Sequence, residues 1–249
     1  MNNLGQTLLH TNLTALIDLI LFPFLLIFTL RRISHSCKQL IADRYGIHGQ
    51  IIFGGIGIII HEFSHLIIAI IFGHKITSFR LLHVPRGNDD NSLGYVNHTF
   101  NPQSSYQRMG NLFIGIAPIF GCAAALMFTT WLLEPQIITS FNTLPNLRFP
   151  VGIFTLESIW KLIGLIFIAS SISIGGFDLS SADLSNIKFG LIVIVGITIF
   201  TSSFATVLGV APAYLAWLHN VSTTFNGIMF FSLVVTLLSN GLIRIITNR

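Results

Sequence analysis

The sequence predicts an all-α, polytopic membrane protein with about six transmembrane helices and a small β-hairpin after the second helix. Two observations lead to this fold class. Hydrophobic residues make up 52% of the 249 residues and charged residues only 9%, whereas about a quarter of the residues in a soluble domain are charged. The apolar residues also gather into stretches of roughly 20 residues, the length that crosses a bilayer as a helix. We therefore expect one multi-pass integral-membrane domain over residues 1–249.

Six apolar stretches have the length and composition of spans. They are Leu13–Leu30, Ile51–Gly73, Asn111–Leu133, a stretch within Val151–Gly175, Phe189 to about Leu208, and Gly227–Ile246. The polar start, Met1–Thr11, lacks the basic residues and the cleavage site of a secretory signal, so we expect the first stretch to be a retained helix. The basic residues are divided between the two sides, which leaves the membrane orientation open.

The longest polar segment follows the second span. Lys75–Leu81 and Gly94–Phe100 alternate apolar and polar residues as strands do, and Pro85–Asn91 between them is rich in turn formers. We predict a β-hairpin here. Three histidines in this region do not share the i, i+4 spacing of two metal ligands on one helix face, and we expect surface or interfacial positions for them; these are His74, His83 and His98.

The charged residues and the cysteines exclude several classes of protein. The 13 Lys and Arg are scattered rather than clustered, so the net charge of +4 indicates contact with a lipid bilayer and no nucleic-acid partner. Cys37 and Cys122 are too few for a disulfide framework or for a cysteine-based zinc site. A bound metal would therefore use His and carboxylate ligands.

The second span carries the sequence His61-Glu62-Phe63-Ser64-His65. Positions i and i+4 lie on one face of a helix, so His61 and His65 can offer two ring nitrogens to one metal ion while Glu62 stands beside it. Ionisable side chains in the middle of an apolar span are costly unless they are paired or bound to a ligand. This location favours a metal site over the alternative, a polar network between helices.

A third protein ligand must come from elsewhere in the chain. The sequence has only nine acidic residues. We set aside the acids in the predicted turn, those near span ends and the one with a basic residue four positions later; they are Asp43, Asp89, Asp90, Glu134 and Glu157. Asp18, Asp178 and Asp183 remain. Asp178 and Asp183 lie in a Gly- and Ser-rich break that suits a helix interruption lining a polar cavity. We favour Asp183 and keep Asp178 as the alternative, and either could instead cap the next helix.

The motif in an apolar span, the β-like segment after it and the later Asp resemble the site-2 protease family of intramembrane zinc metalloproteases. The resemblance covers roughly Ile51–Gly190, which we take as the catalytic core. In that family the helical motif supplies two His ligands and the catalytic Glu, and a distant Asp supplies the third ligand. The resemblance therefore implies Zn²⁺ held by His61, His65 and Asp183, with Glu62 as the catalytic residue.

The Asp motif reads Ser-Ser-Ala-Asp183-Leu, where the family usually has an Asn and a Pro followed by Asp-Gly. It is similar to the shorter, divergent bacterial members in which a Ser-rich segment precedes Asp-Leu. The resemblance thus implies a location in a bacterial cell membrane.

The expected reaction is hydrolysis of peptide bonds in membrane-embedded or membrane-associated polypeptides, with a zinc-activated water and Glu62 as the general base. The edge of the hairpin could hold an unwound substrate by strand addition, or the hairpin could have no substrate role. The alternative function is a non-catalytic metal-binding membrane protein or transporter that uses the same His-Glu-His cluster. The sequence leaves substrate identity and oligomeric state open.

Overall fold

The protein is a bundle of long helices with one two-stranded sheet. A computed structural model gives this fold and describes residues 3–85, 92–141 and 156–247. The helices are α1 Asn3–Leu16, α2 Phe22–Ile71, α3 Ser105–Leu133, α4 Pro135–Phe141, α5 Leu156–Gly176, α6 Ser181–Val207 and α7 Ala211–Thr247. A π-helical turn, Ile17–Leu21, joins α1 to α2. The predicted helical class is confirmed.

Helix α2 reverses direction at Gly46. This residue has φ 63° and ψ −159°, a conformation that glycine adopts without the steric cost other residues incur. The side chain of Gln50 bonds to the carbonyl of Lys38 at 3.4 Å, which is too close for two residues twelve apart in a straight helix. The two halves of α2 therefore form a helical hairpin, and the polar residues 31–45 belong to its first arm.

The predicted β-hairpin is confirmed. Strand β1, Lys75–Arg80, pairs antiparallel with β2, Tyr95–Thr99, and the register shifts between Ile76 and Ser78. Most of the predicted turn, residues 86–91, lies outside the described residues. The sheet follows directly on α2, so it is held close to the helix that carries the His-Glu-His motif.

Small residues bring α5 against the second arm of α2. A Cβ atom added at Gly57 would lie 2.5 Å from the nitrogen of Gly176 and 2.5 Å from the carbonyl oxygen of Ser171. Gly54 approaches Gly175 in the same way, with a Cβ-to-Cα distance of 3.3 Å. Such small residues let helix backbones come close within a membrane. They fix the end of α5 beside the helix turn that bears His61.

Among the described residues, four helical segments are long and apolar enough to cross a membrane. These are Leu4–Ile71, Ser105–Leu133, Ile159–Gly176 and Ala211–Ile245. Helix α6 adds a shorter apolar stretch, Leu191–Val207. The chain thus has the helices of a membrane protein, and the count of six spans stays a prediction. The expected ion pair of Glu157 with Lys161, the basic residue four positions later, involves the Glu157 side chain, which lies outside the described residues.

Candidate metal centre

Three side chains from two distant parts of the chain converge inside the bundle. His61 and His65 lie on α2, Asp183 lies in the first turn of α6, and all three are buried. The Nε2 atoms of the two histidines are 3.1 Å apart. Asp183 Oδ1 lies 3.2 Å from His65 Nε2, and Asp183 Oδ2 lies 3.7 Å from His61 Nε2. One ligand atom from each residue lies within 4.8 Å of the others, so the group could hold a metal ion.

The backbone fixes the tautomers of both imidazoles. His61 Nδ1 donates to the carbonyl oxygen of Gly176, and His65 Nδ1 donates to that of Ile114, each at 2.8 Å. A carbonyl only accepts, so the proton of a neutral ring lies on Nδ1 and the Nε2 lone pair points into the cluster. Two lone pairs and a carboxylate then face one another. These electron-rich groups repel one another, and a cation between them, either a metal ion or a proton, would offset that repulsion.

Both accepting carbonyls are released from helix hydrogen bonding. Gly176 is the last residue of α5, where carbonyls have no partner further along the helix. Ile114 lies within α3, four residues before Pro118. Proline has no backbone N–H, so Pro118 cannot bond the Ile114 carbonyl as another residue would. These two helix features supply the acceptors that orient His61 and His65.

Asp183 is oriented by the start of α6. Ser180 is the N-cap of this helix, and its hydroxyl accepts from the backbone N–H of Asp183 at 3.1 Å. In return, Asp183 Oδ2 accepts from the backbone N–H and the hydroxyl of Ser180 at 2.8 and 2.7 Å. This capping box engages Oδ2 and leaves Oδ1 directed at His65. Capping and facing the histidines, considered above as alternatives, are therefore compatible.

Asp178, the alternative third ligand, points away from the cluster. Its carboxylate makes an ion pair with Lys38 at 2.9 Å and accepts from His35 Nδ1 at 3.2 Å. Both partners lie on the first arm of α2. The structure therefore brings Asp183, and not Asp178, to the two histidines.

Glu62 lies against the loop that leads into β2. A Cβ atom at Gly94 would come within 2.6 Å of Glu62 Cγ and 3.0 Å of the carbonyl oxygen of Leu81. Only glycine leaves room there for the Glu62 side chain. The backbone N–H of His83 donates to the carbonyl of Leu93 at 2.8 Å, which ties this loop to the chain after β1.

A polar cavity of about 370 Å³ reaches the candidate centre. His61, Glu62 and Gly94 are among the residues that line it. Lys38 and Asp178 line it as well, together with other polar groups; these include Arg31, His35, Gln50 and Ser180. Glu62 therefore has access to a space that is lined by charged side chains although its helix is largely apolar.

A second histidine pair anchors the hairpin to the end of α2. His74 Nε2 donates to the carbonyl of Gln107 at 2.7 Å, so its Nδ1 accepts from His98 Nδ1 at 2.9 Å. Of the surface or interfacial position expected for His74, the surface position is wrong: His74 is 5% exposed, because the rings of His98 and Phe100 cover it.

Sequence reasoning missed the groups that support the centre. Gly94 and the carbonyl of Gly176 are recognisable only once the fold is known. Two supports did have a signal: the spacing of Ser180 and Asp183 is that of a capping box, and Pro118 marks a free carbonyl four residues earlier.

Comparison of the chain with protein-family models, with curated proteins and with solved structures gives no match.

Proposed function

We propose that this chain is an intramembrane zinc metalloprotease of the site-2 protease type, which hydrolyses peptide bonds of membrane-embedded or membrane-associated polypeptides. The observation that carries the proposal is the convergence of His61, His65 and Asp183 within 4.8 Å, with Glu62 beside His61 on the same apolar helix. This is the residue set that a zinc-dependent peptidase needs: nitrogen and oxygen ligands and a carboxylate base.

The spacing of the donor atoms fits zinc. Two ligand atoms at about 2.0–2.1 Å from one ion in tetrahedral geometry lie roughly 3.3 Å apart. The two histidine Nε2 atoms are 3.1 Å apart, and Asp183 Oδ1 lies 3.2 Å from His65 Nε2. The other carboxylate oxygen, Oδ2, lies 3.7 Å from His61 Nε2. Three protein ligands leave a fourth position open, as in catalytic zinc sites. Zinc bound there would supply a water with a pKa of about 7 and a Lewis acid for the scissile carbonyl.

Glu62 would move the proton. Its carboxylate is suited to accept a proton from the attacking water and to pass it to the leaving amide nitrogen. Gly94 allows the Glu62 side chain to lie close to the loop before β2. The Nδ1 bonds of His61 and His65 keep the two rings oriented during this exchange.

The substrate would bind in extended form. A helix has its backbone groups satisfied internally, so a membrane-embedded polypeptide must unwind before it can be cut. Strand β2 begins at Tyr95, directly after Gly94, which contacts Glu62. A substrate segment added to the edge of this sheet would run toward the catalytic carboxylate.

We further propose six membrane crossings. The two arms of the helical hairpin around Gly46 would cross separately, which divides the segment Leu4–Ile71 into two spans. The stretch Leu191–Val207 of α6 would add another. The resemblance to short bacterial proteases favours the bacterial cell membrane as the location.

The Glu62→Gln variant tests the catalytic role. Purified full-length protein in detergent is assayed for bound zinc and for cleavage of transmembrane peptides. We expect cleavage to fall by at least about 100-fold, because general-base catalysis contributes that much, while the zinc content stays at the wild-type level. Cleavage by the variant at the wild-type rate would refute this role. Zinc binding by a wild-type protein that cleaves no transmembrane peptide would instead favour the metal-binding or transport function.

Asp183→Asn and Asp178→Asn form a matched pair for the third ligand. We expect Asp183→Asn to lose zinc affinity, because it removes an anionic donor from the cluster, and Asp178→Asn to keep it. Zinc loss by Asp178→Asn alone would show that the wrong carboxylate was chosen. Thermal unfolding of both variants reports whether either one fails to fold.

A further inference from the structure

One arginine lies in the cavity that reaches the candidate centre. Arg31, on the first arm of α2, is half-buried and lines the cavity of about 370 Å³ that His61 and Glu62 also line. The segment that carries it, Leu4–Ile71, is apolar enough to cross a membrane. An ionised side chain in such a segment is costly unless it has a partner or a function. Arg31 is therefore a candidate for contact with a ligand.

A backbone contact orients the guanidinium group of Arg31. Its Nε donates to the carbonyl of Leu179 at 3.2 Å. A guanidinium has five N–H donors in a planar fork, so the N–H groups on its terminal nitrogens remain for a planar anion. Within the described part of the chain, no carboxylate forms an ion pair with Arg31. The positive charge of Arg31 is thus directed by the fold but not neutralised by it.

The acidic residues that line this cavity have other roles. Asp178 forms an ion pair with Lys38 at 2.9 Å and accepts from His35 at 3.2 Å, so Asp178 and Lys38 neutralise each other. Glu62 lies next to the candidate metal centre, where a bound cation would attract its carboxylate. Arg31 is therefore the group on this wall that can attract an anion.

The loop before β2 connects the arginine to the proposed path of the substrate. Leu93 and Gly94 line the same cavity, and a Cβ atom at Gly94 would come within 2.6 Å of Glu62 Cγ. A polypeptide segment bound beside this loop would therefore enter the space that Arg31 lines. A cavity of 370 Å³ is roughly 7 Å across, which corresponds to about two residues of extended chain.

We propose that Arg31 binds a carboxylate of the polypeptide substrate, about two residues or fewer from the bond that is cleaved. This inference rests on the proposed peptidase function and names the substrates of that site. They have either an acidic side chain near the cleaved bond or a C-terminal carboxylate shortly after it. Both present the same planar anion, which a guanidinium binds through two parallel hydrogen bonds.

The test measures binding without cleavage. Full-length Glu62→Gln protein with zinc, in an uncharged detergent, is titrated with fluorescent transmembrane peptides, and binding is followed by fluorescence anisotropy. One pair of peptides has Glu or Gln in a central segment that Gly and Pro keep unwound. A second pair ends in that segment with a free carboxylate or with an amide.

We expect the anionic member of at least one pair to bind at least about tenfold more tightly, because charge-assisted hydrogen bonds are strong. The pair that shows the difference identifies the source of the carboxylate. Equal affinity within both pairs, or no binding of any peptide, would overturn the proposal. This comparison needs no change at Arg31. Failure of the wild type to cleave peptides would refute the peptidase function alone, because a carboxylate preference is measured by binding.

Arg31→Gln, introduced into the same protein, should abolish the preference, so that both members of a pair bind equally. Arg32→Gln is the matched control, because Arg32 is the next residue and its exposed side chain lines the neighbouring cavity of about 470 Å³. It should keep the preference. Zinc content and thermal unfolding of both variants report whether the centre and the fold are intact. A carboxylate preference that persists in folded Arg31→Gln protein would overturn the role of Arg31.

Discussion

The packing of Gly57 predicts that one added methyl group will loosen the candidate metal centre. In Gly57→Ala the new Cβ would lie 2.5 Å from the nitrogen of Gly176 and 2.7 Å from the carbonyl oxygen of Ile172. Non-bonded heavy atoms normally stay about 3.5–4.0 Å apart. The atoms in the way belong to the backbone of α5, so the end of this helix must retreat by roughly 1 Å.

The expected cost in stability follows from this overlap. Overpacking of this kind lowers the free energy of unfolding by about 1–3 kcal/mol, whereas replacing glycine by alanine in a helix raises it by up to about 1 kcal/mol. Gly164→Ala is the matched control, because Gly164 also lies on α5 and a Cβ there meets nothing within 4 Å. We expect Gly57→Ala to be less stable than Gly164→Ala by about 1–3 kcal/mol, measured by unfolding in detergent.

The effect on metal binding comes from the carbonyl that moves with α5. His61 Nδ1 donates to Gly176 at 2.8 Å, and a retreat of α5 would lengthen this bond. Loss of a partner that orients a ligand typically costs 10–100-fold in metal affinity, so we expect a decrease of about that size in Gly57→Ala. Zinc titration of both variants measures it. Equal stability and equal zinc affinity in Gly57→Ala and Gly164→Ala would refute the close packing and its link to the centre.

Three further predictions concern groups around the centre. Gly94→Ala should displace Glu62 and lower peptide cleavage while zinc content is retained; zinc loss in parallel with activity would contradict this. Pro118→Ala restores an N–H that competes for the carbonyl bound by His65, so zinc affinity should fall by up to about tenfold while thermal stability rises; unchanged affinity would show that this carbonyl can serve both donors. Burial and then the neighbouring imidazole lower the pKa of His98 below its ordinary value of 6.5. The folded state therefore binds fewer protons at this residue than the unfolded state, so the hairpin should loosen as the pH falls below about 6.5. Amide exchange of the two strands measures this loosening, which should be absent in His98→Asn.

The sequence predicted the parts of the centre that depend on one helix. The geometry of an α-helix alone brings His61 and His65 to one face, whatever surrounds them. The alternation of apolar and polar residues likewise predicted the strands at Lys75–Arg80 and Tyr95–Thr99. Such local features are fixed by a few consecutive residues.

The choice between the two carboxylates depends on one contact between distant parts of the chain and on one local helix cap. Asp178 and Asp183 share one Gly- and Ser-rich break, in which each is followed by a leucine. Lys38, from a distant helix, pairs with Asp178, and the cap formed by Ser180 directs Asp183 inward. The first of these contacts is tertiary and could not be predicted. The second could have been, because it is local.

Three arginines show the same limit. Arg31, Arg32 and Arg244 are scattered in the sequence. The first arm of α2 packs beside the end of α7, so all three line one cavity. Their proximity arises only from the packing of the helices.

The helical hairpin at Gly46 has a consequence for the order of assembly. Its two arms are consecutive in the chain, so they can associate early during synthesis, and the second arm already carries both histidines. The carboxylate of Asp183 arrives only after α3 and α5 have been made. We therefore expect a metal ion to be captured late, once the beginning of α6 docks, so that metal uptake marks completion of the bundle and an unfinished chain lacks the complete candidate centre.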